Sequence, residues 1–229
     1  MKSSFTKTHL FSCPIYKIKI DPELYDKEKI LSDILYNKSL KNIRNDIHQS
    51  LGRQGIMNHN IHHSHRDFDN ENFRSINYEK LLSTYSNIID DFFNNEINPT
   101  KKIQYNFKIV NYTAMTEGQN MPMHSHIPCD FSCIHYLNFK EGHELTCFDN
   151  PTTEADFIWQ VQPALFDVLN RKDPDNSYAF EDWEFSAEED DMIIFPSTLR
   201  HVVYAQAPTE EPRITIASNI KVLSDGKKD

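Results

Sequence analysis

The chain has 229 residues and a formal net charge of -10, long enough for a domain with a core of its own. Without a Lys/Arg cluster it is poorly suited to nucleic acid or an anionic membrane surface, and a cationic or small-molecule partner fits better. Four cysteines (Cys13, Cys129, Cys133, Cys147) lack a repeated spacing, and the sequence shows no secretory leader or bilayer-length apolar run, so a reduced, cytoplasmic protein is expected.

Residues 10–20 alternate apolar and polar toward their end and predict a strand. Asp21-Pro22-Glu23 then predicts a helix start, with Asp as cap and Pro at the first helical position. Leu24, Ile30, Leu31, Ile34 and Leu35 carry that helix on at the right spacing. Between residues 37 and 69 no period is kept. His59, His62, His63 and His65 fall here and read as a solvated or substrate-facing loop, a metal tract being the alternative.

Residues 76–94 carry the clearest amphipathic stripe, formed by Leu81, Leu82, Tyr85, Ile88, Ile89, Phe92 and Phe93, and predict a helix packed on a sheet. After Asn98-Pro99-Thr100 the pattern becomes short apolar runs at 103–112, 131–139, 144–148, 158–169, 192–195, 202–205 and 214–222. Such spacing predicts an all-β sandwich or barrel. The acidic stretch 173–191, with Glu181, Asp182, Glu184, Glu188, Glu189, Asp190 and Asp191, reads as a solvated loop or, alternatively, as a lid or recognition surface for a basic substrate. One domain over 1–229 is expected, with 1–100 as strand and helical support and 101–222 as the β core.

Chemistry concentrates in Met121-Pro-Met-His-Ser-His-Ile-Pro-Cys-Asp130. In an extended segment residues i and i+2 share a side, so His124 and His126 can converge on one metal ion. His201, after the apolar Met192-Ile-Ile-Phe195, is the candidate third ligand. Three imidazoles suit iron, zinc, copper or nickel and leave coordination positions open, which points to catalysis rather than scaffolding. In Pro212-Arg-Ile-Thr-Ile-Ala-Ser-Asn219, alternation puts Arg213, Thr215 and Ala217 on one face. An inward arginine with no acidic residue of matching period calls for a ligand carboxylate.

His124-Ser-His126-Ile-Pro, Cys133-Ile-His-Tyr-Leu-Asn138, Phe195-Pro-Ser, His201 and Arg213 together resemble the iron(II)- and 2-oxoglutarate-dependent oxygenases. The resemblance is to their prolyl-hydroxylase-like branch and to oxygenases of bacteria and their viruses. It covers roughly 103–220, with a weaker echo in 10–16. It implies a mainly β (α+β) fold, a double-stranded β-helix of the jelly-roll, cupin-like kind, with N-terminal helices on one face. It also implies Fe(II), 2-oxoglutarate and O2, with ascorbate as a supporting reductant, and hydroxylation of an unidentified small-molecule or peptide substrate.

By the same resemblance, His124, His126 and His201 are the metal ligands and Arg213 anchors the distal carboxylate of 2-oxoglutarate. Tyr136 donates to that carboxylate, or is a core aromatic, and Tyr112 lines the cosubstrate pocket. Two features depart from the family pattern. His126 stands where an acid is usual, unless Asp130 supplies it, and Asp190-Asp191 replaces a turn glycine, which Asp tolerates in a left-handed turn. Two rival readings are a cupin-type three-histidine metalloenzyme without 2-oxoglutarate and a non-catalytic binding module. Arg213 speaks against the first, while the missing acid favours the second.

Overall fold

The computed structural model describes residues 13–40, 62–63, 72–151, 163–168 and 182–223. Chain order is β1 (Tyr16–Lys19), α1 (Lys27–Ser39), β2 (His62–His63), α2 (Glu79–Phe92), β3 (Gln104–Met115), β4 (Met121–His124), β5 (Phe131–Asn138), β6 (Thr146–Asp149), α3 (Pro163–Val168), β7 (Asp182–Phe185), β8 (Asp191–Pro196), β9 (His201–Val203) and β10 (Arg213–Leu223). One sheet has the order β1-β8-β5-β10-β3-β2 and the other β4-β9-β6-β7. Every pairing is antiparallel. From β3 onward the chain shuttles between the two walls, the winding of a double-stranded β-helix. The mainly β fold expected from the sequence is therefore present. No helix among the described residues is long and apolar enough to cross a membrane.

Alternation sorts the large sheet into two faces. Tyr112, Ala114, Cys133, Leu137, Met192, Ile194, Ile214, Ile216 and Ile220 turn outward and pack with Ile30 and Ile34 of α1 and Leu81, Tyr85, Ile89 and Phe92 of α2. Each such large side chain, fully buried, contributes about 1.5–3 kcal/mol, so the helices are held mainly by this layer. Ile134, Tyr136, Ile193 and Phe195 turn inward and meet Phe148 and Leu199 from the opposite wall.

A polar seam closes the outer layer. Lys27 Nζ lies 2.7 and 2.8 Å from the Asp190 carboxylate oxygens and 2.7 Å from Glu189 Oε1. Tyr25 Oη donates to Asp190 Oδ1 at 2.9 Å. The buried His135 meets Tyr85 Oη through Nδ1 at 2.7 Å, while its Nε2 is 3.8 Å from Asp190. Burial alone would raise the Asp190 carboxyl, but its contacts with His135, Lys27 and Tyr25 outweigh that and hold it at about 2. Asp190 sits at φ +64°, the left-handed turn anticipated at this position. From there its backbone takes a hydrogen bond from Ile20 and gives one to Tyr136.

Several expectations are corrected. Asp21 does cap a turn at Pro22, its side chain accepting from the Glu23 N–H, but that turn is 3-10 and ends at Leu24. Tyr25, extended at φ -147°, breaks the helix so that its hydroxyl reaches Asp190, and α1 begins only at Lys27. The run 158–169 is not a strand over its described part, because Pro163 opens α3 there. The acidic stretch is not all loop: Asp182–Phe185 form β7 at the edge of the smaller sheet. Within the loop expected over 37–69, His62 and His63 pair with Ala114 and Thr113 of β3. His59, His65 and residues 173–181 lie outside the described residues.

Candidate metal centre

The three histidines are brought together by strand register. His124, the last residue of β4, pairs across the ladder with His201, the first of β9. Directly opposed antiparallel residues stand side by side on one face, and these two ring centroids are 4.3 Å apart. His126 lies in the turn after β4, its backbone N–H donating to Ser197 O at 2.9 Å. Its ring is 5.1 Å from His124 and 5.2 Å from His201. One ligand atom from each of the three lies within 4.8 Å of the others.

Every Nδ1 is engaged by an oxygen that can only accept. His124 donates to Pro122 O at 2.7 Å, His201 to Leu199 O at 3.2 Å and His126 to Asn219 Oδ1 at 2.8 Å. A proton fixed on Nδ1 leaves the lone pair on Nε2, the arrangement a metal-binding imidazole requires. Burial, reinforced by the neighbouring imidazoles, pushes His201 down to about 3 and His124 below the ordinary histidine range. Both are therefore neutral, ready ligands near pH 7. Phe195 and Phe148 pack around His201 and hold its ring.

Asp130 does not join this group. Its Oδ2 accepts from the Val222 N–H at 2.8 Å and faces Lys221 at 3.3 Å, tying the turn to β10 instead. Among the described residues the cluster consists of imidazoles alone.

The histidines open into a cavity of about 660 Å³ that Arg213, Thr215, Ala217 and Asn219 of β10 also line. Arg213 is buried, at 2 % exposure. Its Nε donates to Glu144 O at 2.9 Å and an Nη to Thr146 Oγ1 at 3.2 Å, and no carboxylate among the described residues pairs with it. Burial lowers its pKa and the neighbouring Tyr136 counters that, but a guanidinium keeps its proton.

Tyr136 stands beside Arg213, the guanidinium 5.4 Å from its ring centroid, yet its hydroxyl is spent on Thr146 Oγ1 at 2.8 Å. Thr146, which sequence reasoning missed, thus accepts from both and keeps its own proton at the cavity wall. Tyr112 is a correction. Asn111, Thr113 and Met115 of β3 face the cavity, so alternation sends Tyr112 to the outer layer. There it is buried near Asn37, whose Nδ2 donates to its hydroxyl at 3.4 Å.

Residues 111–219 match the family described as "Putative 2OG-Fe(II) oxygenase". The match covers a little under half of the chain. It spans β3 to β10, which carry all three histidines and Arg213. No curated protein sequence matches the chain.

Similar solved structures are distant. An oxidoreductase of the 2OG-Fe(II) oxygenase family from Burkholderia pseudomallei shares 13% identity at a TM-score of 0.40, over 65% of this chain and 61% of that one. The chain thus spans less than two thirds of that protein's length. A prolyl-4-hydroxylase from Pseudomonas putida aligns over 92% of this chain and 93% of its own at 8% identity and TM-score 0.47. The viral collagen prolyl hydroxylase of Paramecium Bursaria Chlorella virus-1 aligns over 90% and 95% at 17% identity and TM-score 0.46.

The residues fit a divalent metal: three imidazole nitrogen donors, each with Nδ1 hydrogen-bonded to an oxygen, meet at one end of an open cavity. They depart from a 2OG-Fe(II) oxygenase's usual donor set at His126, where the acid would be.

Proposed function

We propose that this protein is an Fe(II)- and 2-oxoglutarate-dependent oxygenase that hydroxylates a C–H bond of its substrate. The observation carrying the reading is the pairing, in one cavity, of three converging imidazoles with a buried arginine that no carboxylate among the described residues neutralises. A dicarboxylate satisfies both ends, one carboxylate beside the metal and the other on the guanidinium fork. Bound Fe(II) would supply the oxygen chemistry, with 2-oxoglutarate and O2 converted to succinate and CO2 as one oxygen atom enters the substrate.

The chain's own share is orientation. His124, His126 and His201 would hold the metal, Arg213 and Thr146 the far end of the cosubstrate, and Phe195 and Phe148 would keep water from the His201 side. The imidazole in the acid's place favours one second reading, a three-histidine dioxygenase that needs no 2-oxo acid.

Anaerobic addition of Fe(II) and then 2-oxoglutarate separates the two. A visible metal-to-ligand band and, on admitting O2, succinate formation support the proposal. A band that survives His201→Ala, or O2 uptake indifferent to 2-oxoglutarate, would overturn it.

A further inference from the structure

His126 differs from the other two histidines in what holds it. His124 and His201 give their Nδ1 protons to backbone carbonyls two residues away in their own segments. His126 gives its proton to a side chain 93 residues distant, Asn219 Oδ1 on β10, at 2.8 Å. A carbonyl of the backbone can only accept. A carboxamide can present either an acceptor or a donor.

Ser132 shares that oxygen. Its hydroxyl, fully buried, donates to the same Asn219 Oδ1 at 2.9 Å, and it lies 2.7 Å from the equally buried Ser197 hydroxyl. Ser132 has one proton. If that proton goes to Asn219, Ser197 must donate to Ser132, and both remaining arrows converge on Oδ1. With the amide reversed, its NH2 would face His126 Nδ1, the ring proton would move to Nε2, and the lone pair needed for a metal would be gone. Ser197 also accepts the His126 backbone N–H through its carbonyl and donates its own N–H to Asp130 O. The relay and the turn carrying His126 are therefore one unit.

We propose that Asn219, whose Oδ1 is shared with the Ser132 hydroxyl, is the positioning residue that fixes His126 as a metal-binding tautomer. It does so through a neutral oxygen, so no negative charge stands behind the third imidazole. The site would then keep the metal's full positive charge toward an anionic cosubstrate. This rests on reading His124, His126 and His201 as metal ligands.

The first test needs no metal. In the metal-free protein, 15N-resolved histidine NMR should find His126 as the Nδ1–H tautomer, and Asn219→Ala should move it toward the Nε2–H form. Calorimetry with Co(II) should then show affinity falling about 10- to 100-fold in Asn219→Ala. Asn219→Asp, which keeps an acceptor oxygen, should restore it. Should Asn219→Ala fail to fold, Asn219→Leu, of similar volume and without an acceptor, carries the same tautomer readout. An unchanged tautomer in the folded variant, or unchanged Co(II) affinity, overturns the inference. If the wild type shows the Nδ1–H tautomer but binds no Co(II), the metal reading falls while the tautomer lock stands.

Discussion

His135, on the outer face of the six-stranded sheet, and the three histidines of the interior cavity are built on opposite rules. On the outer face His135 is closed, one ring nitrogen on Tyr85 and the other beside Asp190, with Lys27 and Tyr25 completing the carboxylate's partners. Inside, His124, His126 and His201 each satisfy Nδ1 and leave Nε2 open to a shared cavity. His135 and Tyr136 are sequence neighbours, yet one belongs to the seam and the other to the cavity wall's support. A buried polar group that is fully partnered holds a fold together. A buried group left with an unused lone pair marks a place where something else binds.

That contrast can be broken from either side. His201→Ala should have the largest effect, weakening Co(II) or Fe(II) binding by more than about 100-fold, beyond what loss of a supporting group costs; calorimetry that matches wild type would remove the interior histidines from consideration as a ligand set. Arg213→Ala should next cost about 2–5 kcal/mol of 2-oxoglutarate binding while metal affinity holds, read by titrating the visible band.

On the outer face, Asp190→Asn keeps a residue that accepts the left-handed turn but strands Lys27, with only Glu189 left to it. A loss of about 3 kcal/mol is expected, seen as a melting temperature lower by roughly 6–12 °C. Turnover per folded molecule should be unchanged, because Asp190 touches nothing in the cavity.

The smallest effect is in acid. Asp190 is held at about 2, below its ordinary 3.8, so the unfolded chain binds its proton first as pH falls. Its contribution is complete above 3.8 and fades on the way down to about 2. Urea midpoints across that window should slope less steeply in Asp190→Asn than in wild type.

The local and periodic parts of this molecule were legible. His124 and His126 sit two apart, and β10 alternates strictly enough to put Arg213 on the cavity side, a parity that continues to Asn219. Tyr112 was misplaced because both faces of β3 are covered, by helices outside and a cavity inside, so alternation reveals two faces without saying which is which. The strand β4 was obscured by Pro122, tolerable only because β4 is a sheet edge. In β7, Asp182-Trp-Glu-Phe185 is too polar to stand out from the acidic run around it. Thr146 and Asn219 gave no signal, since their partners come from segments far away in the chain.

The placement of the groups on two walls has one further consequence. His124 and His201 belong to the four-stranded sheet and Arg213 to the six-stranded one. A dicarboxylate reaching from the metal to the guanidinium would therefore act as a rivet between the walls. By mass action, a ligand at a hundred times its dissociation constant adds about 2.7 kcal/mol to the folded state. Supply of metal and 2-oxo acid would then govern how long the molecule survives heat and proteases as well as how fast it works.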